Sequence, residues 1–153
     1  MTFDEIRRLA VIGAGQMGSQ IAMQAALHGY PVALHDISAA QLEKGIAGNR
    51  MQLEKRVAKG KLSAADLEAA LGRLRATTSL EEAAGAADFV IEAVVEKLDE
   101  KRAVFERLDQ ASPAHAILAT NSSYIGNSRL AEITAASTSI GKPETRPTCP
   151  HGR

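Results

Sequence analysis

Short apolar runs alternate along this chain with longer stretches whose apolar residues recur at helical spacing. Leu9 to Ile12 is the first run and stops at Gly13. Three glycines in the next six positions do not suit a helix, so the run reads as a buried strand. From Gln16 to His28 the residues Met17, Ile21, Ala25 and Leu27 mark a helix, with Gly29 suited to its end and Pro31 unable to extend it. Val32 to Leu34 is the next strand, closing on His35 and Asp36. Ser38 with Gln41 is a capping-box pattern that opens a long helix to about Lys59, and Ser63 with Asp66 opens a second that ends near Gly72. Leu62 and Leu67 stand in the staple positions around that second cap.

The rest of the pattern is of the same kind. Leu74 to Thr77 is a weak strand, Ser79 and Glu82 cap a short helix to Ala84, and Phe89 to Val95 is the strongest buried strand. Lys97 to Leu108 is helical, with Leu98, Val104, Phe105 and Leu108 on one side, and Pro113 follows it. Ala116 to Thr120 is another strand, and a last helix is expected from about Ser128 to Ala136. Strands alternating with helices imply parallel pairing and right-handed crossovers. The predicted fold is therefore α/β, a doubly wound, mostly parallel sheet of Rossmann type with a helical hairpin inserted after the second strand.

Composition narrows the possibilities. A chain of 153 residues is one domain's worth. Its core must be aliphatic, because only five residues are aromatic, while 28 are alanine. Eighteen basic residues balance eighteen acidic ones, with no basic block, which argues against a nucleic-acid binder. A single cysteine, Cys149, allows no intrachain disulfide. No apolar run approaches the ~20 residues of a membrane span, and the first residues resemble neither a signal nor a transit peptide. The expectation is a soluble, cytoplasmic protein. Residues 137–153 break the pattern, with three prolines, the cysteine and Ile140 as the one large aliphatic side chain. An irregular, disordered tail is expected there, after a dinucleotide-binding domain over 1–136.

The chemistry begins at Gly13-Ala14-Gly15-Gln16-Met17-Gly18, a G-x-G-x-x-G between a predicted strand and a predicted helix. Gly13 permits the tight turn, Gly15 lets a pyrophosphate approach the backbone, and Gly18 lets the helix lie close to the strand. The helix N-terminus favours an anion. Asp36, eighteen positions after Gly18, can accept hydrogen bonds from ribose hydroxyls. A 2′-phosphate there would meet like charge, at roughly 4 kcal/mol per pair for an effective dielectric near 20. The next residues, Ile37, Ser38 and Ala39, bring no arginine, so NAD is predicted over NADP, and FAD falls well below NAD. The plainer alternative is a glycine turn without a ligand and a surface aspartate.

Val11-Ile12-Gly13-Ala14-Gly15-Gln16-Met17-Gly18-Ser19-Gln20-Ile21-Ala22 resembles the opening of the NAD-binding domain of 3-hydroxyacyl-CoA dehydrogenases. Val57 to Ser63 is similar to that family's hairpin linker, Asp88 to Glu96 to its fourth-strand motif, and Ile117 to Ser123 to its fifth strand and following loop. The resemblance covers about Ile6 to Ala136. It implies that Ala93 and Glu96 line the nicotinamide-ribose side of NAD. It implies that Lys101 lies near both dinucleotide and acyl-CoA, and that Ser123 hydrogen-bonds near the nicotinamide and the substrate oxygen, with Asn121 shaping that loop. Lys59 and Lys61 would lie where the hairpin meets CoA. Read without the family, Glu96 and Lys101 are first-turn charges on a solvated helix, Ser123 is a loop serine, and Lys55, Arg56, Lys59 and Lys61 form a wet helix face.

The resemblance also implies a reaction: hydride passes from C3 of a 3-hydroxyacyl thioester to NAD while a histidine, oriented by a glutamate, takes the hydroxyl proton. That histidine lies in a His-Phe-Phe-Asn-Pro-like strand, for which this sequence has Ser137 to Arg153 instead. The partner glutamate and the helical C-terminal domain, which usually carries the dimer contact, are missing too, so the chain is expected to be incompetent alone and to self-associate through an exposed apolar patch. The change after Ala136 suggests truncation or a shifted reading frame. His28 and His115 read as structural or solvated, and His35 as lying on the adenosine side, far from the chemistry. Cys149 and His151 are too few for a metal site. Two alternatives stay open: a fragment of a 3-hydroxyisobutyrate or 6-phosphogluconate type dehydrogenase, and a non-catalytic NAD-binding module.

Overall fold

The five short apolar runs form one sheet in the computed structural model, which describes residues 5–95 and 97–121. The elements are β1 (Leu9–Ile12), α1 (Gln16–Leu27), β2 (Val32–His35), α2 (Ala39–Ala58), α3 (Ala64–Arg73), β3 (Leu74–Thr77), α4 (Leu80–Ala84), β4 (Phe89–Glu92), α5 (Leu98–Ala111) and β5 (Ile117–Thr120). The strand order is β3-β2-β1-β4-β5 and every neighbouring pair is parallel. The chain builds outward from β1 through β2 to β3, then returns to the other side of β1 for β4 and β5. The crevice beyond the carboxyl end of β1 is therefore the switch point, where ligands of such sheets bind.

Alternate strand residues feed opposite faces. Val11, Val32 and Leu34 pack with Ala22, Met23 and Ala26 of α1, Leu42 and Leu53 of α2, and Leu67 and Ala70 of α3. Ala10, Ile12, Val90 and Leu118 pack with Leu80, Ala83 and Ala84 of α4 and with Phe105 and Leu108 of α5. Phe105 is fully buried, which contributes about 1.5–3 kcal/mol. Four of the five buried residues of α1 are small (Gly18, Ser19, Ala22 and Ala26), which lets the helix lie close over the strands. Leu62 joins Leu67 in the same cluster, so the staple around Ser63 forms as the sequence suggests.

Two elements differ from the sequence reading. The strand expected over Phe89 to Val95 stops at Glu92. Its neighbour β1 ends at Ile12, opposite Glu92, and the last bond between them runs from the Ala93 N–H to the Ile12 carbonyl at 2.8 Å. Past that point β1 turns away at Gly13, so Val94 and the exposed Val95 are left at the crevice mouth. The helix expected over Lys97 to Leu108 runs over Leu98–Ala111, with Lys97 as its cap residue. Among the described residues no helix is long and apolar enough to cross a membrane. The expected helix from Ser128 to Ala136 and the expected tail over 137–153 lie outside the described residues.

Candidate functional site

The crevice is shaped first by backbone. Gly13 takes φ +107° and donates its N–H to the His35 carbonyl at 2.7 Å. A Cβ on Gly13 would lie 2.6 Å from the Ala93 carbonyl oxygen, and one on Gly18 would lie 1.8 Å from the Gly13 carbonyl oxygen. Only glycine fits at either place. At Gly15, by contrast, a Cβ would meet nothing within 4 Å. The middle glycine of the loop therefore faces open space, and α1 begins there with no side-chain cap. The first-turn N–H groups of such a helix have no intrahelical acceptor, so they are available to an anion.

Asp36 follows β2 and is half-buried. One carboxylate oxygen accepts the Ala14 N–H at 2.9 Å and the other accepts the Ser38 N–H at 2.9 Å. The capping box opening α2 is thereby redirected. Ser38 accepts the Gln41 N–H at 3.3 Å as expected, but Asp36 holds the Ser38 N–H and the Gln41 side chain donates instead to the Ala14 carbonyl at 3.1 Å. Close approach reinforces that link: a Cβ on Gly45 of α2 would lie 3.0 Å from Ser19 Cβ and 3.1 Å from the Ala14 carbonyl oxygen. Asn49, one turn on, donates to the Ser19 carbonyl at 2.7 Å.

A cavity of about 350 Å³ opens beside the loop, lined among others by Gly13, Gly15, Asp36, Ile37, Val94 and Arg107. It has the volume and mixed lining of a small-molecule cleft. Arg107 is the member that sequence reasoning missed, while His35 lies beside Asp36 as expected. Arg107 reaches the cavity from α5, far from Asp36 along the chain, and donates to Glu81 of α4 at 2.6 Å. That hydrogen bond holds the Glu81 carboxyl below its ordinary range. His35 is buried and lines the same cavity. Burial lowers its pKa, opposed in part by neighbouring Asp36, and its Nδ1 has no hydrogen-bond partner among the described residues.

The nicotinamide side expected from the sequence lies across the crevice. Ala93 is half-buried and lines the cavity, and Asn121 is exposed just past β5. Glu96 and Ser123 lie outside the described residues. Lys101 is not a solvated helix charge. It is 1% exposed, on the same face of α5 as Phe105 and Leu108, and its amine donates to both oxygens of the fully buried Glu92 at 2.8 and 3.0 Å. In this conformation it offers no surface to an acyl-CoA. Lys59 and Lys61 are exposed at the far end of α2, about 30 Å of helix away from Ser38. The structure thus brings Gly13 to Gly18, Asp36 and Ala93 together and leaves the two hairpin lysines apart. Gln16 and Met17 are exposed in the first turn of α1. Among the described residues no group of three or more His, Cys, Asp or Glu side chains could hold a metal ion, and Cys149 and His151 lie outside them.

A glycine loop with an open middle position, an uncapped helix start and a carboxylate held on backbone N–H groups fit a dinucleotide. Known proteins place that fit. Residues 8–141 match the family described as 3-hydroxyacyl-CoA dehydrogenase, NAD binding domain, running past the boundary at 136 read from composition. A 3-hydroxyadipyl-CoA dehydrogenase of Escherichia coli K12 is 43% identical over 91% of this chain and 28% of its own length. A probable 3-hydroxybutyryl-CoA dehydrogenase of Bacillus subtilis is 38% identical over 85% of this chain and 45% of its own length. Crystal structures of 3-hydroxybutyryl-CoA dehydrogenases superpose with TM-scores of 0.84 (Escherichia coli K12, 41% identical, 86% of this chain and 28% of that one) and 0.83 (Ralstonia eutropha, 37%, 86% and 46%). The chain spans less than half the length of these relatives. It belongs to the 3-hydroxyacyl-CoA dehydrogenase family, as the NAD-binding domain.

Proposed function

We propose that this chain supplies the dinucleotide-binding half of an oxidoreductase that exchanges hydride between NAD and C3 of a short-chain 3-hydroxyacyl-CoA. The observation that carries the reading is the uncapped start of α1 beside Gly15, in one crevice with Asp36. Bound NAD would supply the hydride acceptor. The first-turn N–H groups of Gln16, Met17 and Gly18 would hold its diphosphate. The Asp36 carboxylate would exchange its two N–H partners for the adenosine ribose hydroxyls. Ile37 and Val94 would exclude water from the adenosine end. Ala93, Glu96, Asn121 and Ser123 would line the nicotinamide end, with the Ser123 hydroxyl donating to the substrate oxygen and Lys101 acting from beneath. Lys59 and Lys61, at the hairpin tip, would meet the CoA moiety.

The reading favours NAD over NADP, because Asp36 repels a 2′-phosphate and the one arginine described at the cavity, Arg107, is already paired with Glu81. It favours a cytoplasmic protein acting on a soluble thioester. Titration of the chain with NADH and NADPH, followed by nicotinamide fluorescence, tests it. NADH should bind at least tenfold more tightly, the effect of one charge repulsion of about 1.4 kcal/mol or more. A folded chain with flat fluorescence up to millimolar NADH would sink the reading. A second titration, with acetoacetyl-CoA in a calorimeter, distinguishes it from a module that binds only NAD.

A further inference from the structure

Glu92 is 0% exposed, yet four bonds converge on its carboxylate. Lys101 donates to both oxygens, the Val94 N–H to one at 2.7 Å, and the Thr120 hydroxyl to the other at 2.6 Å. Its main chain is tied in as well. Glu92 pairs with Ile12 in β1 and with Thr120 in β5, and its carbonyl accepts the Asn121 N–H at 2.8 Å. Lys101 also reaches the Val94 carbonyl at 3.4 Å. One side chain thus ties together the loop leaving β4, the end of β5 and α5.

Stability alone is a poor account of this arrangement. Desolvating two charges offsets most of their attraction, and apolar residues of similar size often serve a core as well. What the pair supplies, and a leucine would not, is directional bonding to the Val94 backbone and to the Thr120 side chain.

We propose that Glu92 is a positioning residue: its buried carboxylate, shared with Lys101 and Thr120, fixes the described residues that follow β4 and β5, Ala93 to Val95 and Asn121, as a wall for the nicotinamide half of the dinucleotide. This rests on the dinucleotide reading above. The adenosine half, held by α1 and Asp36, makes no hydrogen bond to the Glu92 carboxylate, so the two halves should respond differently to its loss.

The test uses the full chain, with NADH and ADP as probes. Thr120→Val removes one bond without leaving a lone charge. The double variant Glu92→Gln with Lys101→Met removes the ion pair as a whole. Each should weaken NADH roughly tenfold or more, as expected for losing a hydrogen bond to a charged group, while ADP stays within about twofold. Thr120→Ser, which keeps the hydroxyl, should restore NADH affinity. Parallel weakening of NADH and ADP, or NADH binding unchanged in both variants, overturns the proposal. Wild-type chain that binds neither ligand would instead bring down the dinucleotide reading, and this proposal with it.

Discussion

Two carboxylates flank the end of β1, one beyond each neighbouring strand, and they are used in opposite ways. Asp36, past β2, is half-buried and among the described residues accepts from two backbone N–H groups. Its carboxylate lines the open crevice, where partners from a ligand could reach it. Glu92, at the end of β4, is sealed from water and saturated by an ammonium, a hydroxyl and an amide. It cannot turn toward a ligand without stranding a buried cation. A carboxylate beside a cleft is thus a binding group or a strut according to whether its partners can be replaced by those of the ligand.

Breaking the strut should give the largest effect. Lys101→Met leaves Glu92 charged and unpaired in the core, and should cost about 3–5 kcal/mol of stability in urea unfolding. A loss below about 1 kcal/mol would show that Glu92 takes a proton or water instead. Next come the glycines. Gly18→Ala drives a Cβ into the Gly13 carbonyl and should cost about 1–3 kcal/mol, whereas Gly15→Ala should leave stability within about 0.5 kcal/mol while weakening NADH. Equal stability losses at the two glycines would show that Gly15 is not the open position. Asp36→Ala should barely move the urea midpoint but lower NADH affinity by about 1.5–3 kcal/mol, measured by fluorescence titration. An affinity unchanged by that substitution would remove Asp36 from the site.

The smallest effect is a pH slope. The His35 pKa in the fold lies below its ordinary 6.5, chiefly through burial. As pH falls through 6.5 the unfolded chain takes up this proton first, so stability present above 6.5 declines, by no more than about 1.4 kcal/mol per pH unit. His35→Leu should flatten the urea midpoint between pH 7 and 5 relative to wild type. Asp88 adds a slope at lower pH, since the Arg7 N–H foremost, with His115 and the Arg8 N–H, holds its carboxyl below the ordinary range; that stability goes as pH falls through the folded value.

The glycine-loop side of the crevice is legible in the sequence because its parts are local. The glycines lie within six residues of one another, and Asp36 follows the next strand. Helix starts at Ser38, Ser63 and Ser79 were equally plain, because a cap depends on neighbours three residues away. The Glu92 cluster is assembled from positions 92, 94, 101 and 120, and nothing short-range marks Lys101 as buried. A residual signal was there: Lys101 falls at helical spacing with Phe105 and Leu108, on the apolar face. The end of β4 was misjudged because Val94 and Val95 are apolar as cavity rim rather than as core, and hydropathy does not separate the two. Arg107 escaped notice because only the crossover through α5 brings it opposite Asp36.

The pinning of α2 to the phosphate-side loop, through Gly45, Gln41 and Asn49, has a mechanical consequence. A rod anchored at one end magnifies small rotations at the other. From Asn49 to Ala58 the helix runs about 14 Å, so a tilt of about 5° at that anchor sweeps the distal tip through about 1 Å. Lys59 and Lys61 ride on that tip, so the loop and the hairpin's outer end form one lever whose aim is set where Gly45 meets Ala14.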